Sequence, residues 1–301
     1  MFYSPLRYPG GKNKLAAFIA KICIENSISG VYVEPYAGGA SVGLFLLFEG
    51  FVNKIIINDK DRSIYAFWHS VLNNHTKLCK LIDQTEVTME SWYELREVQK
   101  HKEKVGLLEL GFSTLFMNRT NRSGIINGGP IGGYKQESEY SLDCRFNKED
   151  IKKRIKAIAK RRNDIKLYKK DALKLIDKIE READKENTIF YFDPPYYLKA
   201  NSLYMNHYEN ENHKIVSDRI KNIKNIKWIV SYDNVTEIQR LYSGFEKKEY
   251  SFKHTAYQIR EGKEVLFFSN NLNTPQLYNR NPVRYKYLKK DTESKILYKK
   301  A

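Results

Sequence analysis

The chain has 301 residues, of which 52 are Lys or Arg and 36 are Asp or Glu, so its formal net charge is +16. A hydrophobic fraction of 42% is enough for a folded core and excludes a disordered basic protein. The positive charge favours a polyanionic partner such as nucleic acid, although a lysine-rich proteome would give the same composition. Three scattered cysteines without a C-x-x-C pair, and no apolar run of about 18 residues, predict a reduced, soluble, cytoplasmic protein.

Helix and strand patterns alternate at the start of the chain. Apolar residues at helical spacing from Leu15 to Cys23 predict an amphipathic helix, and residues 31–33 form a short β-rich run. A glycine turn then leads into a second predicted helix at 41–49, and 54–58 is a predicted buried strand. This order of elements implies parallel strands that are joined by a right-handed crossover.

The pattern changes after residue 61. A helix signal runs to about residue 84, polar helical segments follow at 89–104, and the Gly-, Asn- and Arg-rich stretch 118–134 does not fit a regular helix. Strand and helix signals then alternate again, at 165–168, from 172, and at 188–192, 226–231, 245–252 and 264–269. We therefore predict three parts: a discontinuous α/β domain at 1–61 and 164–270, an insert at 62–163, and a basic tail at 271–301.

The strongest motif is Asp193-Pro194-Pro195-Tyr196, which directly follows the predicted strand at 188–192. In an open parallel sheet, ligands bind beyond the carboxyl ends of the strands. The prolines end the strand and fix a rigid turn, so the Asp193 carboxylate and the Pro194 carbonyl are presented as acceptors beside the Tyr196 ring. Two acceptors and an aromatic face suit a planar ring that carries an exocyclic amino group. A strand-terminating turn with an incidental aspartate is the other interpretation.

A second motif is the glycine turn Glu34-Pro35-Tyr36-Ala37-Gly38-Gly39 between a predicted strand and a predicted helix. It allows close backbone approach but lacks the full G-x-G-x-x-G pattern and the phosphate-loop lysine. A nucleoside ligand without phosphates, such as S-adenosylmethionine, therefore fits better than NAD or ATP. Asp59 ends the next predicted strand about twenty residues later, where an acidic residue binds ribose hydroxyls. For the glycines alone, a close packing turn is the alternative.

Two further segments carry candidate ligand-binding residues. Tyr8-Pro9-Gly10-Gly11-Lys12 combines an aromatic side chain, a flexible turn and a cation before the first predicted helix, and taken alone it is also a plain helix start. Asp171 follows the predicted strand at 165–168, where it is either a site residue or a helix N-cap. Neither segment identifies a chemistry by itself.

Taken in order, these motifs resemble the Dam-like (D12 class) DNA adenine-N6 methyltransferases, in which a glycine-loop half precedes a target-recognition insert and a D-P-P-Y half. The matching pieces are 8–12, 33–42, 58–59, 193–196 and 264–268. The resemblance implies an α/β, Rossmann-like, S-adenosylmethionine-dependent methyltransferase domain with a mainly helical DNA-recognition insert.

The resemblance also implies roles for individual residues. Asp59 would hold the cofactor ribose, and Asp193, Pro194 and Tyr196 would bind the target adenine after it is flipped out of the duplex. Direct in-line transfer would need no metal and no covalent nucleophile. The implied cofactor-binding residues are Tyr8, Lys12, Glu34, Pro35, Ala37, Gly38, Gly39, Asp59, Asp171 and Asp193.

DNA recognition is expected in the insert. Arg119, Asn121 and Arg122 lie within the stretch 118–134, and Arg and Asn side chains suit guanine and adenine edges in the major groove. A surface turn without DNA contact is the alternative. The sequence at 122–126 departs from the more aromatic pattern of the GATC-specific members of the family, so the recognition sequence is left open.

The sequence therefore predicts a site-specific enzyme that methylates N6 of a flipped-out adenine in double-stranded DNA. An N4-cytosine or RNA amino-methyltransferase stays open, because such a pocket would bind an exocyclic amino group on any base. A non-catalytic DNA-binding protein on the same scaffold is a further alternative. We expect a monomer without membrane association, and the resemblance leaves room for a cognate restriction endonuclease as a partner.

Overall fold

A seven-stranded sheet lies at the centre of the computed structural model, which describes residues 3–7, 12–197, 210–254 and 260–275. The strands are β1 (Val31–Glu34), β2 (Lys54–Asn58), β3 (Ile165–Tyr168), β4 (Thr188–Phe192), β5 (Lys227–Asp233), β6 (Glu246–His254) and β7 (Arg260–Phe268). Their order in the sheet is β3-β2-β1-β4-β5-β7-β6. The strands from β3 to β5 in this order are parallel, and β7 runs antiparallel to both β5 and β6. The α/β fold with parallel strands is confirmed.

Helices precede and follow the strands along the chain. The α-helices within the described residues are α1 (Ala16–Glu25), α2 (Ser41–Phe48), α3 (Arg62–Asn73), α4 (His75–Gln84), α5 (Met89–Lys100), α6 (Leu107–Thr120), α7 (Lys148–Lys160), α8 (Ala172–Glu182), α9 (Asn210–Lys221) and α10 (Thr236–Leu241). Five of them, α3 to α7, lie between β2 and β3 in the chain. The helix expected up to about residue 84 is divided at Asn74 into α3 and α4.

Each central strand divides its side chains between two hydrophobic cores, one on either face of the sheet. On β4, Ile189 and Tyr191 belong to one core, whereas Phe190 and Phe192 belong to the other. The first core includes α1, α2 and the helices between β2 and β3, and the second includes α8, α9 and α10. Burial on both faces explains why the parallel strands read as continuous apolar runs in the sequence.

Two helices of the insert pack at unusually close range. Gly111 of α6 lies directly against α3, so a Cβ atom at this position would come within 2.5 Å of both the Ala66 carbonyl oxygen and Ser70 Oγ. Ser70 Oγ also donates to the Leu107 carbonyl oxygen at 3.1 Å. A small residue in α6 therefore permits the contact between these helices.

The sequence pattern does not predict α6, and the stretch expected to be irregular begins inside this helix. The polar residue Asn118, at the end of α6, is buried and satisfied by tertiary partners. Its Oδ1 accepts from the Arg7 N–H at 2.7 Å, and its amide donates to the carbonyls of Arg7 and Gly124 at 2.7 and 2.8 Å. These contacts stabilise the last turn of α6, where the polar residues of the sequence do not favour a helix.

Residues 3–7 lie against the insert. Arg119 Nε donates to the Pro5 carbonyl at 2.7 Å, and an Arg154 guanidinium nitrogen donates to the Ser4 carbonyl at 2.9 Å. Residues 3–7 are therefore attached to α6 and α7. At the other terminus, most of the predicted basic tail lies outside the described residues. No helix within the described ranges has the length and apolar character that a membrane span requires.

Candidate active site

The D-P-P-Y segment leaves the carboxyl end of β4 at the centre of the sheet, between β1 and β5. Asp193 Oδ1 accepts a hydrogen bond from Ser231 Oγ at 2.8 Å, and Ser231 Oγ accepts one from the Tyr191 hydroxyl at 2.9 Å. The Asp193 side chain is still 25% exposed. Two neighbouring strands thus orient this carboxylate while part of it faces outward.

A buried polar cluster lies behind this carboxylate. Lys12 Nζ is 2.6 Å from the Tyr196 hydroxyl, 2.6 Å from Glu264 Oε2 and 3.4 Å from Asp193 Oδ1. The hydroxyls of Tyr196 and Tyr250 both donate to the Glu264 carboxylate. We call Lys12, Asp193, Tyr196, Tyr250 and Glu264 the Lys12 cluster.

Burial and the charges within the Lys12 cluster together set the pKa values of Asp193 and Lys12. Burial raises the pKa of Asp193 to about 6, with Glu264 adding to the increase, while Lys12 and the Ser231 hydrogen bond act in the opposite sense. Burial would lower the pKa of Lys12, but Asp193 and Glu264 outweigh it and hold that pKa above its ordinary value. Lys12 is therefore a cation at neutral pH, and Asp193 is mostly ionised.

The glycine turn joins β1 to α2 and meets the end of β2. Asp59 Oδ2 accepts from the Gly38 N–H at 3.0 Å, and its Oδ1 accepts from the Asp61 N–H at 3.0 Å. Gly38 has a φ of 46°, in the left-handed region that favours glycine. Burial and the neighbouring Asp61 charge raise the pKa of Asp59 to about 7, although the two backbone hydrogen bonds lower it. The turn is fixed against the acid that was predicted to bind ribose.

The other predicted residues of this turn are buried. The Asn58 amide donates to the Pro35 carbonyl at 2.9 Å, and the Ala37 N–H donates to the Asn58 carbonyl at 2.9 Å. Gly39 is also buried. The structure therefore brings the glycine turn and the end of β2 together.

Glu34 places a second buried carboxylate at the carboxyl end of β1. Its Oε1 accepts from the Tyr32 hydroxyl at 3.0 Å and from the Gly43 N–H at 3.1 Å, whereas Oε2 has no hydrogen-bond partner within the described structure. Burial raises the pKa of Glu34 to about 8 in spite of these two bonds, and the nearby Asp193 charge contributes. An unpartnered buried oxygen suits a ligand that donates, such as the ammonium group of S-adenosylmethionine. The residues present therefore fit this cofactor.

Asp171 and Tyr8 are the remaining predicted cofactor residues. Asp171 caps α8 by accepting from the Leu173 N–H at 3.0 Å, and it pairs with Lys60 Nζ at 3.1 Å. The N-cap that the sequence left open is present, and the Asp171 side chain remains 34% exposed. Its contact with the cofactor stays a prediction. Tyr8 lies outside the described residues.

Comparison with known families bears directly on these motifs. Residues 8–256 match the family of D12 class N6 adenine-specific DNA methyltransferases. The chain belongs to this family. It is therefore an enzyme, an adenine-specific DNA methyltransferase that uses S-adenosylmethionine, as the ordered motifs predict.

This methyltransferase is similar to a curated protein and to solved structures. The Type II methyltransferase M.MjaIII of Methanocaldococcus jannaschii is 23% identical over 206 residues, which cover 64% of this chain and 68% of the relative. A SAM-dependent methyltransferase from Agrobacterium tumefaciens has 8% identity and a TM-score of 0.41, and the match covers 85% of this chain and 62% of that one. The rRNA methyltransferase aviRa from Streptomyces viridochromogenes has 11% identity and a TM-score of 0.39, with 88% and 87% covered. The chain thus spans less than two thirds of the Agrobacterium protein.

Two of the three residues predicted to bind DNA are buried in the insert of the methyltransferase. Arg119 is 9% exposed and donates to the Pro5 carbonyl. Asn121 is fully buried, accepts from Trp92 Nε1 at 2.7 Å, and donates to two carbonyls of the following loop. Both side chains are occupied by partners within the protein, and their contact with DNA bases stays a prediction. Both satisfy backbone groups of irregular segments that have no secondary-structure partners.

Arg122 is the exposed member of the three. It begins a hairpin-like loop in which its N–H donates to the Gly129 carbonyl at 3.0 Å. Tyr134, at the end of this loop, is 56% exposed, and its hydroxyl lies 3.5 Å from an Arg96 guanidinium nitrogen. Sequence reasoning missed Arg96 and Tyr134 because folding brings them together from separate segments.

Sequence reasoning also missed the side chains that surround Asp193. Glu264 was noted only as part of a matching strand, yet a charged residue next to the apolar run 265–268 was an available signal of a buried polar site. Ser231 and Tyr250 had no local signal, since their roles come from strand pairing across the sheet.

Proposed function

We propose that this methyltransferase acts on an adenine flipped out of double-stranded DNA, and that the segment Asp193-Pro194-Pro195-Tyr196 binds this base. The observation that carries the proposal is the position of two carboxylates. Glu34, with its unpartnered oxygen, ends β1, and Asp193 follows β4, which is the parallel neighbour of β1. Cofactor and target base are thereby assigned to adjacent sites, as direct transfer requires.

On the cofactor side we assign Glu34 and Asp59. Glu34 Oε2 is available to accept from the ammonium of the methionine part, and Asp59 to accept from the ribose hydroxyls. When bound, S-adenosylmethionine supplies a methyl group on a positively charged sulfur. Lys12, which was predicted to contact the cofactor, lies beside Asp193 and Tyr196, so we assign it to the side of the target base.

On the side of the target base, acceptors and an aromatic ring are supplied by one short segment. The Asp193 carboxylate and the Pro194 carbonyl accept hydrogens of N6, which orients the amino group toward the cofactor site. The base must leave the duplex to reach them, at a cost of a few kcal/mol. Tyr196 is assigned to stack on the base, and the bonds of its hydroxyl to Lys12 and Glu264 anchor the outer end of its ring.

DNA is proposed to lie against the insert at 62–163, with Arg122 near the bases and the basic tail at 271–301 adding sequence-independent affinity. A monomer is sufficient, because one strand is modified at a time. All three cysteines are free thiols, which supports a cytoplasmic location. The likeness to a Type II methyltransferase supports a restriction endonuclease as a functional partner.

Incubation with labelled S-adenosylmethionine and genomic DNA, followed by identification of the labelled nucleoside, tests the proposal. We expect N6-methyladenine in a defined sequence context. Asp193→Asn should lower kcat by about 100-fold or more while DNA binding is retained, because an acceptor for N6 is lost. Asp184→Asn, at an exposed aspartate before β4, is the matched control and should keep activity. Label on N4 of cytosine or in RNA, or full activity of Asp193→Asn, would contradict the proposal.

A further inference from the structure

Glu264 is a buried carboxylate whose part in the proposed reaction has so far been limited to its bond with the Tyr196 hydroxyl. It is 2% exposed and lies in β7, opposite Asp233 of β5 and Tyr250 of β6. Three donors converge on it: the Lys12 ammonium at 2.6 Å and the hydroxyls of Tyr196 and Tyr250. A buried charge is costly unless it is paired and hydrogen-bonded. The three donors around Glu264 therefore stabilise an ionised carboxylate at this buried position.

Two carboxylates compete for the Lys12 ammonium. Lys12 Nζ lies 2.6 Å from Glu264 Oε2 and 3.4 Å from Asp193 Oδ1. The closer contact is in the range of a charge-assisted hydrogen bond, which is stronger than one between neutral groups. Lys12 is thus held mainly by Glu264, and Asp193 keeps a partly exposed carboxylate that Ser231 orients.

We propose that Glu264 is a positioning residue of the methyl-transfer site. Its carboxylate holds the Lys12 ammonium and the Tyr196 hydroxyl, and so keeps the Asp193 carboxylate free to accept from the amino group of the target base. This role rests on the proposed function of Asp193. We assign Glu264 no contact with either substrate, because its hydrogen-bond partners within the described structure are Lys12, Tyr196 and Tyr250 and it acts through the first two.

Loss of the Glu264 charge has two consequences for Asp193. Lys12 is left with one carboxylate, so its ammonium moves toward Asp193 and occupies an acceptor that the base needs. The Tyr196 hydroxyl loses its charged acceptor, so the outer end of its ring is held less firmly. Both changes misplace groups that must be aligned with N6 and reduce the rate of transfer rather than the binding of DNA or cofactor.

The charge of Glu264 also affects the ionisation of Asp193. Within the described residues, the titratable groups that interact with Asp193 include Lys12, Glu34, Glu264, Tyr191 and Tyr196. Among them, the negative charge of Glu264 opposes ionisation of Asp193 and Lys12 favours it. Removal of Glu264 and approach of Lys12 both lower the pKa of Asp193. The acid limb of the rate profile, where Asp193 becomes protonated, should therefore move to lower pH.

Kinetics of the full chain with Glu264→Gln test the proposal. We expect kcat at neutral pH to fall by about 100-fold, with KM for DNA and cofactor nearly unchanged, as for a misplaced reacting group. The acid limb of the profile of kcat against pH should shift to lower pH, which loss of packing alone would not cause. Glu264→Asp retains the charge, and its acid limb should stay close to that of the wild type, so it serves if Glu264→Gln does not fold.

A control and a second measurement separate this inference from the proposed function. Glu49→Gln is the matched control, because Glu49 also accepts from a tyrosine, Tyr3, at 2.5 Å but lies at the end of α2. It should keep both kcat and the acid limb. The pKa of Asp193, measured by carboxyl-carbon NMR without DNA and assigned by its loss in Asp193→Asn, should fall in Glu264→Gln. This holds whichever base is methylated. An unshifted Asp193 pKa, or an unchanged kcat in Glu264→Gln, overturns the role of Glu264.

Discussion

At the scale of single residues, the site is defined by three carboxylates at the carboxyl ends of neighbouring strands. Burial raises the pKa of Glu34 to about 8, that of Asp59 to about 7, and that of Asp193 to about 6. The folded protein thus retains protons that the unfolded chain releases at lower pH. These groups lower the free energy of unfolding as pH rises from their unfolded pKa values to their folded ones. Such raised values are typical of ligand-binding sites.

Cofactor binding is expected to release protons from Glu34. A cationic ligand that pairs with the ionised carboxylate binds more tightly as pH rises between about 6 and 7, by up to about tenfold per pH unit for each linked proton. Calorimetry in buffers of different ionisation enthalpy measures both the affinity and the number of protons released. Glu34→Gln should bind more weakly and release fewer protons. Proton release equal to that of the wild type would remove Glu34 from the cofactor site.

At the scale of elements, the loop after α6 is held in shape by buried polar residues that are not themselves exposed. Asn121 links Trp92 of α5 to carbonyls of the loop, and Gly124, with a φ of 76°, approaches the Arg7 carbonyl so closely that a Cβ atom would lie 2.2 Å from it. The inner residues of the loop fix its shape, and Arg122 is left on its outer side. Stability and the proposed DNA contact are therefore assigned to neighbouring residues of one short segment.

Substitution of two adjacent residues should separate these roles. Asn121→Ala removes the partners of Trp92 Nε1 and of the buried Ile126 carbonyl, which should lower the free energy of unfolding by about 3 kcal/mol in urea denaturation. Arg122→Ala should leave stability unchanged and weaken binding of the specific DNA site by about 1–3 kcal/mol, as for loss of a base contact. Equal stability of both variants, or unchanged DNA affinity of Arg122→Ala, would show that these assignments are incorrect.

The packing of α6 against α3 provides a second prediction for the insert. Gly111→Ala places a Cβ atom 2.5 Å from the Ala66 carbonyl, so the helices must move apart. We expect a loss of about 1–3 kcal/mol in the free energy of unfolding, as for other overpacked sites. Gly106→Ala is the matched control, because Gly106 has a φ of −68° and its Cβ atom would meet nothing within 4 Å. A stable Gly111→Ala variant would argue against this close helix contact.

At the scale of the whole molecule, much of the net charge lies in the tail, whereas the insert belongs to the same hydrophobic core as the N-terminal helices. The tail after residue 271 carries eight Lys or Arg residues and two acidic ones, a large part of the net charge of +16. The insert shares one hydrophobic core with α1 and α2, so its helices pack in the same core as one face of the sheet. Residues 3–7 add a further link, since α6 and α7 hold the segment that precedes Lys12. The proposed DNA contact with the insert therefore involves elements attached to the candidate active site.

The affinity for DNA should depend strongly on salt. Release of counterions from about six phosphates would weaken binding by about 1,000-fold between 50 and 200 mM salt, independently of sequence. Neutralising three tail lysines should reduce the slope of log K against log salt. The variant combines Lys286→Gln, Lys289→Gln and Lys290→Gln. The control removes three exposed lysines on the side of α8, with Lys174→Gln, Lys185→Gln and Lys224→Gln. An equal slope for both variants would exclude a DNA-binding role of the tail.

Much of the fold follows from local sequence. The strands β1, β2 and β4 are apolar because both faces of a parallel strand are covered. Their positions can therefore be predicted from the sequence. The D-P-P-Y segment and the glycine turn are equally local, because two prolines end a strand and Gly38 permits a left-handed backbone. Order and spacing of these motifs were enough to predict the family.

Contacts between distant segments were decided only by the tertiary structure. The last turn of α6 is stabilised because Asn118 and Arg119 bond to backbone carbonyls of distant segments, and Asn121 turns inward to bond with Trp92. Lys12 contacts Glu264, 252 positions away in the chain, because antiparallel pairing brings β7 beside β5. A side chain's type shows which bonds it can make. Whether it makes them with DNA, with a cofactor or with its own chain depends on which groups the fold leaves unsatisfied nearby.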